Sequence, residues 1–220
     1  MRQVLTGVQR EPETDVLLLT GDLVQDETRQ GYERLKIYLD DLGLPAFSIP
    51  GNHDDPDLLS AVLTDARSQV GGHTLIGEWC LVFLSSYVPG AAFGRLSADE
   101  LSRLDELLKN HATKHLLIAL HHHPIPMDSA WLDTVGLENS EEFWRIVDVH
   151  SNVRCILWGH VHQDLQQKRN DVLLLATPST CAQFKPKVDQ FEIDDKPPAY
   201  RRLLLEASGK VSTEVVWLED

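Results

Sequence analysis

Cysteine is scarce in this sequence, positive charge is in deficit, and no long apolar run occurs. Cys80, Cys155 and Cys181 stand far apart with no Cys-x-x-Cys spacing, which excludes a disulfide framework and a thiolate zinc knot. They read as reduced, mostly buried thiols, with Cys181 a small buried filler. Lys and Arg number 20 against 34 Asp and Glu, a formal charge of -14. That field repels phosphate backbones and anionic lipid, so neither a nucleic-acid polymer nor a membrane is expected as partner. The opening Met1–Val16 carries no basic-then-apolar leader, and no stretch approaches the length of a membrane helix. The expectation is a cytoplasmic protein acting on a small molecule, with homo-oligomer formation left open.

What is present is an α/β rhythm over 220 residues, enough chain for one substantial core and read as one domain, 1–220. Apolar runs at Val16–Leu19, Ala46–Ile49, Cys80–Leu84, Leu116–Leu120, Val153–Trp158 and Val172–Ala176 read as buried strands. Between them Leu35, Leu39 and Leu42 line one helix face, and Ser97-Ala98-Asp99-Glu100 forms a capping box before Leu101, Leu104, Leu107 and Leu108. Another helix begins near Ser140, and a hairpin turns at Ser208-Gly209. The pattern favours two packed sheets with helices outside, although periodicity alone also allows a single sheet.

The chemistry-bearing residues follow strand ends. Gly21-Asp22, Gly51-Asn52-His53-Asp54, His121-His122-His123 and Gly159-His160-Val161-His162 each come directly after an apolar run, where α/β folds collect ligands. Taken singly, most have plain explanations. Gly-Asp makes turns, Asp54 or Asp55 before Pro56 starts a helix, and at least one of the three adjacent histidines is expected to be a solvated loop residue. Gly-His-x-His is harder to dismiss: two imidazoles two apart in extended chain point the same way and can hold one metal or two adjacent ones. Imidazole, carboxylate and amide donors without thiolate suit Mn, Fe, Zn, Co or Ni. Trp131 and Asp133 lie in a Pro-flanked loop that could line a ligand entrance, though an aromatic serves equally well there by packing the loop down, and Lys185 and Lys187 could steer a phosphate but read as surface lysines. All four are left outside the site.

The ordered series resembles the calcineurin-like metallophosphoesterase superfamily. The stretches TGDLVQD, PGNHD, ALHHHPIP, SAWLD, LWGHVHQDL and LLATPSTCAQFKP look closest to its bacterial class III 3',5'-cyclic AMP phosphodiesterases. The resemblance implies a four-layer αββα fold, a two-sheet β-sandwich flanked by helices. It implies two divalent transition-metal ions, Fe or Mn foremost and Zn, Co or Ni as alternatives, that clamp a phosphodiester about 3.5 to 4 Å apart and activate a water to hydroxide. By position, Asp22 would bridge both metals, Asn52, His121 and His160 would complete the second site, and His162 would ligate the first. Asn52 and His53 would contact substrate, with His53 protonating the departing oxygen. The ring nitrogens opposite the metals need partners of their own, for which Asp26, Asp54 and Asp164 are candidates. Another nucleotide or phosphomonoester substrate, and a non-catalytic single-metal protein, remain as alternatives.

One family feature is not found. The resemblance calls for a strand ending in Asp-x-His before Gly-Asp, yet the residues ahead of Asp22 contain no such motif and the first histidine is His53. Val4–Arg10 instead reads as the end of the helix that should follow that strand. The expectation is therefore an N-terminally truncated domain with its first strand missing and its first metal site supplied only by Asp22 and His162.

Overall fold

The computed structural model describes residues 1–11 and 13–218. Its first half runs α1 (Arg2–Val8), β1 (Leu17–Leu19), α2 (Arg29–Leu42), β2 (Ala46–Ser48), α3 (Pro56–Leu63), β3 (Ser68–Val70), β4 (Gly72–Ile76), β5 (Trp79–Phe83) and α4 (Ala98–Asn110). Then come β6 (His115–Leu120), α5 (Ala130–Asp133), α6 (Ser140–Val147), β7 (Val153–Trp158), β8 (Leu165–Arg169), β9 (Val172–Ala176), β10 (Gln183–Phe184), β11 (Ile193–Asp194), β12 (Ala199–Leu205) and β13 (Val211–Trp217).

Two sheets carry the architecture, a parallel one ordered β1-β2-β3 and a mixed one ordered β4-β5-β6-β7-β9-β8. The central strands of the larger sheet are buried on both faces, which explains their unbroken apolar runs. On one face Val82, Ile118, Ile156 and Leu174 pack with Leu104, Leu108 and Phe143 of α4 and α6. On the other, Leu81, Phe83, Leu117, Leu157 and Leu175 meet Phe47 and Ile49 from the smaller sheet. The outer side of that smaller sheet buries Leu17 and Ala46 against Val4 of α1, Tyr32, Leu35 and Leu39 of α2, and Leu59 and Leu63 of α3. Helices, sheet, sheet and helices therefore form the expected four layers.

The N-terminal helix and the last hairpin stand where expected, and β12 pairs with β13 across Ser208-Gly209. β1 is hydrogen-bonded to β2 alone, and among the described residues no strand covers its other edge. Three expectations change. The capping box is half made: Ser97 Oγ accepts from Glu100 N at 3.1 Å, but the Glu100 carboxylate turns to Ser85 N at 3.0 Å and to Arg103 rather than back to Ser97. Cys181 is exposed, unlike Cys80 and Cys155, because it lies in the loop leading from β9 to β10 rather than on a strand. Strands β3, β4 and β8 carry polar or exposed residues. Edge positions need no apolar run, so the sequence pattern missed them.

Candidate metal centre

Parallel strands β1, β2, β6 and β7 all end on the same rim, so their following loops meet. Their approach is close enough to dictate composition. Gly21 has φ +93°, and a Cβ there would lie 2.7 Å from the Gly51 backbone nitrogen. At Gly51 a Cβ would run into the Asp22 carboxylate itself. Asp22, His160 and His162 hold left-handed φ values of 53°, 62° and 49°, a conformation side chains rarely adopt and one that collects at functional sites.

The loops are then tied together by Asp54, which is 1% exposed. Its carboxylate accepts from Leu23 N at 3.1 Å, Gly51 N at 2.9 Å and the Tyr32 hydroxyl at 3.0 Å. Burial raises its pKa, against the pull of these donors. Asp55 caps α3 through Asp57 N and Leu58 N.

At the centre stands His121, 1% exposed. Its Nδ1 donates to the Thr20 carbonyl at 2.6 Å, since a carbonyl can only accept, and this leaves Nε2 as the free lone pair of the neutral ring. Nε2 faces Asp22 Oδ2 at 3.3 Å, Asn52 Oδ1 at 3.3 Å and His160 Nδ1 at 3.2 Å. A cluster of lone pairs at such spacing repels itself unless a proton or a cation lies among them. The donor set therefore fits a divalent metal of the borderline class. His162 shows the same preparation: Nδ1 donates to the Ala182 carbonyl at 2.9 Å and the ring stacks on Phe184 with centroids 4.0 Å apart, leaving Nε2 free. His53 is exposed, and its backbone N–H donates to Asp22 Oδ1 at 2.9 Å.

Electrostatics follows the same plan. Burial would raise the Asp22 pKa, but the adjacent His121 ring and the His53 N–H outweigh it and hold the carboxyl well below its usual range. Burial would lower the His121 pKa, but Asp22 turns the shift upward, favouring a proton on Nε2 that a cation would have to displace. Desolvation, reinforced by His121 and His122, pushes His160 well below an ordinary histidine. A neutral imidazole with an unshared lone pair is what a cation requires.

Several expectations are corrected here. None of Asp26, Asp54 and Asp164 holds a ring nitrogen of His121 or His162; the backbone carbonyls of Thr20 and Ala182 do. Asp164 instead pairs with Arg201, and Asp26 accepts from Thr28 N. None of the three adjacent histidines is solvated, for His122 and His123 are 0% and 3% exposed. His122 Nδ1 bonds Ser86 Oγ at 2.8 Å, and ligand atoms of His121, His122 and His160 all lie within 4.8 Å of one another. His122 was missed because adjacent residues on a regular strand diverge; the chain leaves β6 before His121.

The calcineurin-like phosphoesterase family model matches residues 1–164. This chain belongs to that family. It is 40% identical to the 3',5'-cyclic adenosine monophosphate phosphodiesterase CpdA of Haemophilus influenzae, over 97% of this chain and 78% of that one. Against the protein of the same name from Escherichia coli K12 the identity is 38%, over 94% and 76%. Among solved structures it resembles a dimetal phosphatase from Danio rerio, with a TM-score of 0.66 and 16% identity over 92% of this chain and 83% of that one. At that identity the likeness speaks for the fold. No helix among the described residues is long and apolar enough to cross a membrane.

Proposed function

We propose that this calcineurin-like phosphoesterase hydrolyses 3',5'-cyclic AMP to 5'-AMP, using divalent metal ions held at the rim of the two sheets. The convergence of Asp22, Asn52 and His160 on His121 Nε2 at 3.2–3.3 Å carries the reading, and the names of its bacterial relatives supply the substrate. Asn52, His121, His160 and Asp22 would hold one cation, and Asp22 with His162 would serve a second. Bound there, such ions supply Lewis acidity toward the phosphodiester and a nucleophile at neutral pH.

The remaining work falls to the chain. Thr20 and Ala182 fix the ring orientations of His121 and His162, so that the donors need no rearrangement on binding. Asp54 locks the loops bearing Asp22 and Asn52 into one unit. His53, exposed at the mouth and anchored through its N–H to Asp22, reaches the phosphate and protonates the 3'-oxygen as the P–O bond breaks. One water is consumed, with its oxygen joined to phosphorus and the 3'-hydroxyl released.

The two metal positions are unequally supplied. Asp22 and His162 are the residues available to one, against four donors at the other, so these 220 residues hold one cation tightly and the other weakly. That imbalance favours, as a second reading, a single-metal protein of slow turnover. Calorimetric titration with Mn or Fe, followed by product analysis with cyclic AMP, separates the two. Expected are one tight equivalent, a weak second one, and slow conversion to 5'-AMP that rises with metal concentration. Cleavage of a phosphomonoester without any cleavage of cyclic AMP at high metal would defeat the proposal.

A further inference from the structure

His121 and His162 take their orientation from unlike supports. His121 is held by the carbonyl of Thr20, directly after β1. His162 is held by the carbonyl of Ala182, which lies in the loop between β9 and β10. A loop carbonyl is a poor reference point unless the loop itself is fixed, because an unfixed segment samples several conformations. The residue that fixes it is Gln183, 1% exposed. Its Oε1 accepts from Ser179 N at 2.9 Å, and its Nε2 donates to the Ser179 carbonyl at 2.8 Å and to the Pro197 carbonyl at 3.0 Å. Carbonyls only accept, so the amide has one orientation and both of its protons are engaged. The Ser179 carbonyl also accepts from Ala199 N at 3.0 Å, which fastens the loop to the first residue of β12.

Gln183 and Phe184 together form β10, and adjacent side chains on an extended strand point to opposite sides. One side of this short strand is therefore lashed to the body of the protein while the other is turned to His162. Phe184 N donates to the His162 carbonyl at 3.2 Å, and the Phe184 ring lies at 18° to the imidazole with centroids 4.0 Å apart. Ala182, one residue before Gln183, takes the Nδ1 proton at 2.9 Å. Residues 182–184 thus grip one histidine at three points, and that histidine holds a φ of 49° that side chains rarely adopt. If packing alone mattered at position 183, an apolar side chain of equal volume would avoid burying an amide. A buried amide with all its protons bonded instead specifies geometry.

We propose that Gln183 is a positioning residue for His162: by fixing the Ala182 carbonyl it keeps Nε2 as the free lone pair, and so sets the affinity of the less well supplied metal position. The affinity rests on the metal reading above, whereas the ring orientation does not, and the two are measured separately. NMR of the histidine ring nitrogens, at a pH where the rings are neutral, reports which nitrogen carries the proton. In the metal-free wild-type protein His162 is expected as a single Nδ1–H tautomer, its signal identified by its loss in His162→Gln. Gln183→Met, similar in volume but without the amide, is expected to give a mixture of tautomers at His162 and none at His121, which Thr20 holds. In calorimetric titration with Mn the weak equivalent of that variant is expected to bind about 10–100-fold more weakly, with the tight equivalent unchanged. His162 alternating between tautomers in the wild-type protein would overturn the proposal, and this measurement decides the matter should Gln183→Met not fold. A folded Gln183→Met protein with tautomer and weak equivalent both unchanged would overturn it too, as would equal losses at both metal positions, the mark of general loosening. A wild-type protein that takes up no second cation, while His162 responds to Gln183→Met as expected, would defeat the two-metal reading and leave the positioning of the ring standing.

Discussion

At their N-terminal ends the strands of the large sheet meet paired polar groups. Trp79 Nε1 donates to the Glu206 carbonyl at 2.9 Å, Asn152 Nδ2 to the His111 carbonyl at 3.1 Å, and the Lys114 ammonium to the Gly77 carbonyl at 2.9 Å. At their C-terminal ends the same strands deliver left-handed His160 and His162 and a crowd of imidazoles, beside left-handed Asp22 at the end of β1 in the smaller sheet. Eight buried side-chain nitrogens among the described residues have no partner; apart from His150, they belong to His122, His123, Trp131, Trp158, His160 and Gln163 at or beyond the C-terminal rim. One end of the sheet is arranged for stability and the other tolerates strain and unmatched polarity. The difference marks the C-terminal rim as the candidate site without reference to any motif.

Glycine substitution is the strongest way to test that contrast. Gly51→Ala drives a methyl into the Asp22 carboxylate, whereas Gly77, at φ +54° in the β4–β5 turn, has nothing within 4 Å. The first should cost about 3 kcal/mol or more and abolish metal binding, the second about 1 kcal/mol with activity retained. Urea melts paired with metal titration read both, and equal losses would erase the contrast.

Between the two rims, Ile118 on central β6 is 0% exposed. Ile118→Ala should cost about 2–5 kcal/mol through lost burial and a residual cavity. Metal stoichiometry should stay unchanged once the variant is folded, as judged by denaturant midpoint and calorimetry.

Metal itself provides the next comparison. Manganese at a hundredfold excess over its dissociation constant should stabilise the wild-type protein by about 2.7 kcal/mol, a rise in Tm of about 5–10 °C. His160→Ala should lose most of that rise and chelator should reverse it. A rise of the same size in the variant would show that the cation binds elsewhere.

The smallest effect is expected far from the rim. Asp65 accepts from Arg67 N and Ser68 N at 2.8 Å and pairs with Lys36. Lys36 and those N–H groups depress its pKa to about 2. Because the folded value lies below the unfolded one, its contribution is full above about pH 4 and fades as pH falls toward 2. At pH 7 Asp65→Asn should cost less than about 1 kcal/mol, since the pair is largely solvated. The gap from wild type should close in denaturant melts taken at successively lower pH.

How much of this was readable in advance differs by element. The strands ending before Gly21, Pro50, His121 and Gly159 were legible because strands buried on both faces must be apolar throughout. Edge strand β8, Leu-Gln-Gln-Lys-Arg, carried no such mark. Within the candidate site, Asp22, Asn52, His121, His160 and His162 could be proposed from their places after strand ends and from the family resemblance. Asp54 could be read as a turn residue, a helix start or a partner for an imidazole, and it became a clamp when the Leu23 and Gly51 N–H groups came within reach of its two oxygens.

The order of residues along the chain by itself determined the α/β class and the types of donor at each strand end, because apolar periodicity and lone-pair chemistry are local properties, while the four layers were expected from the family resemblance. Only the tertiary structure decided which nitrogen of each imidazole is free and which of the three adjacent histidines faces Asp22. Those outcomes depend on carbonyls and loops remote in sequence, Thr20 for His121 and Ala182 for His162. Contacts of that kind exist only after the sheets have packed.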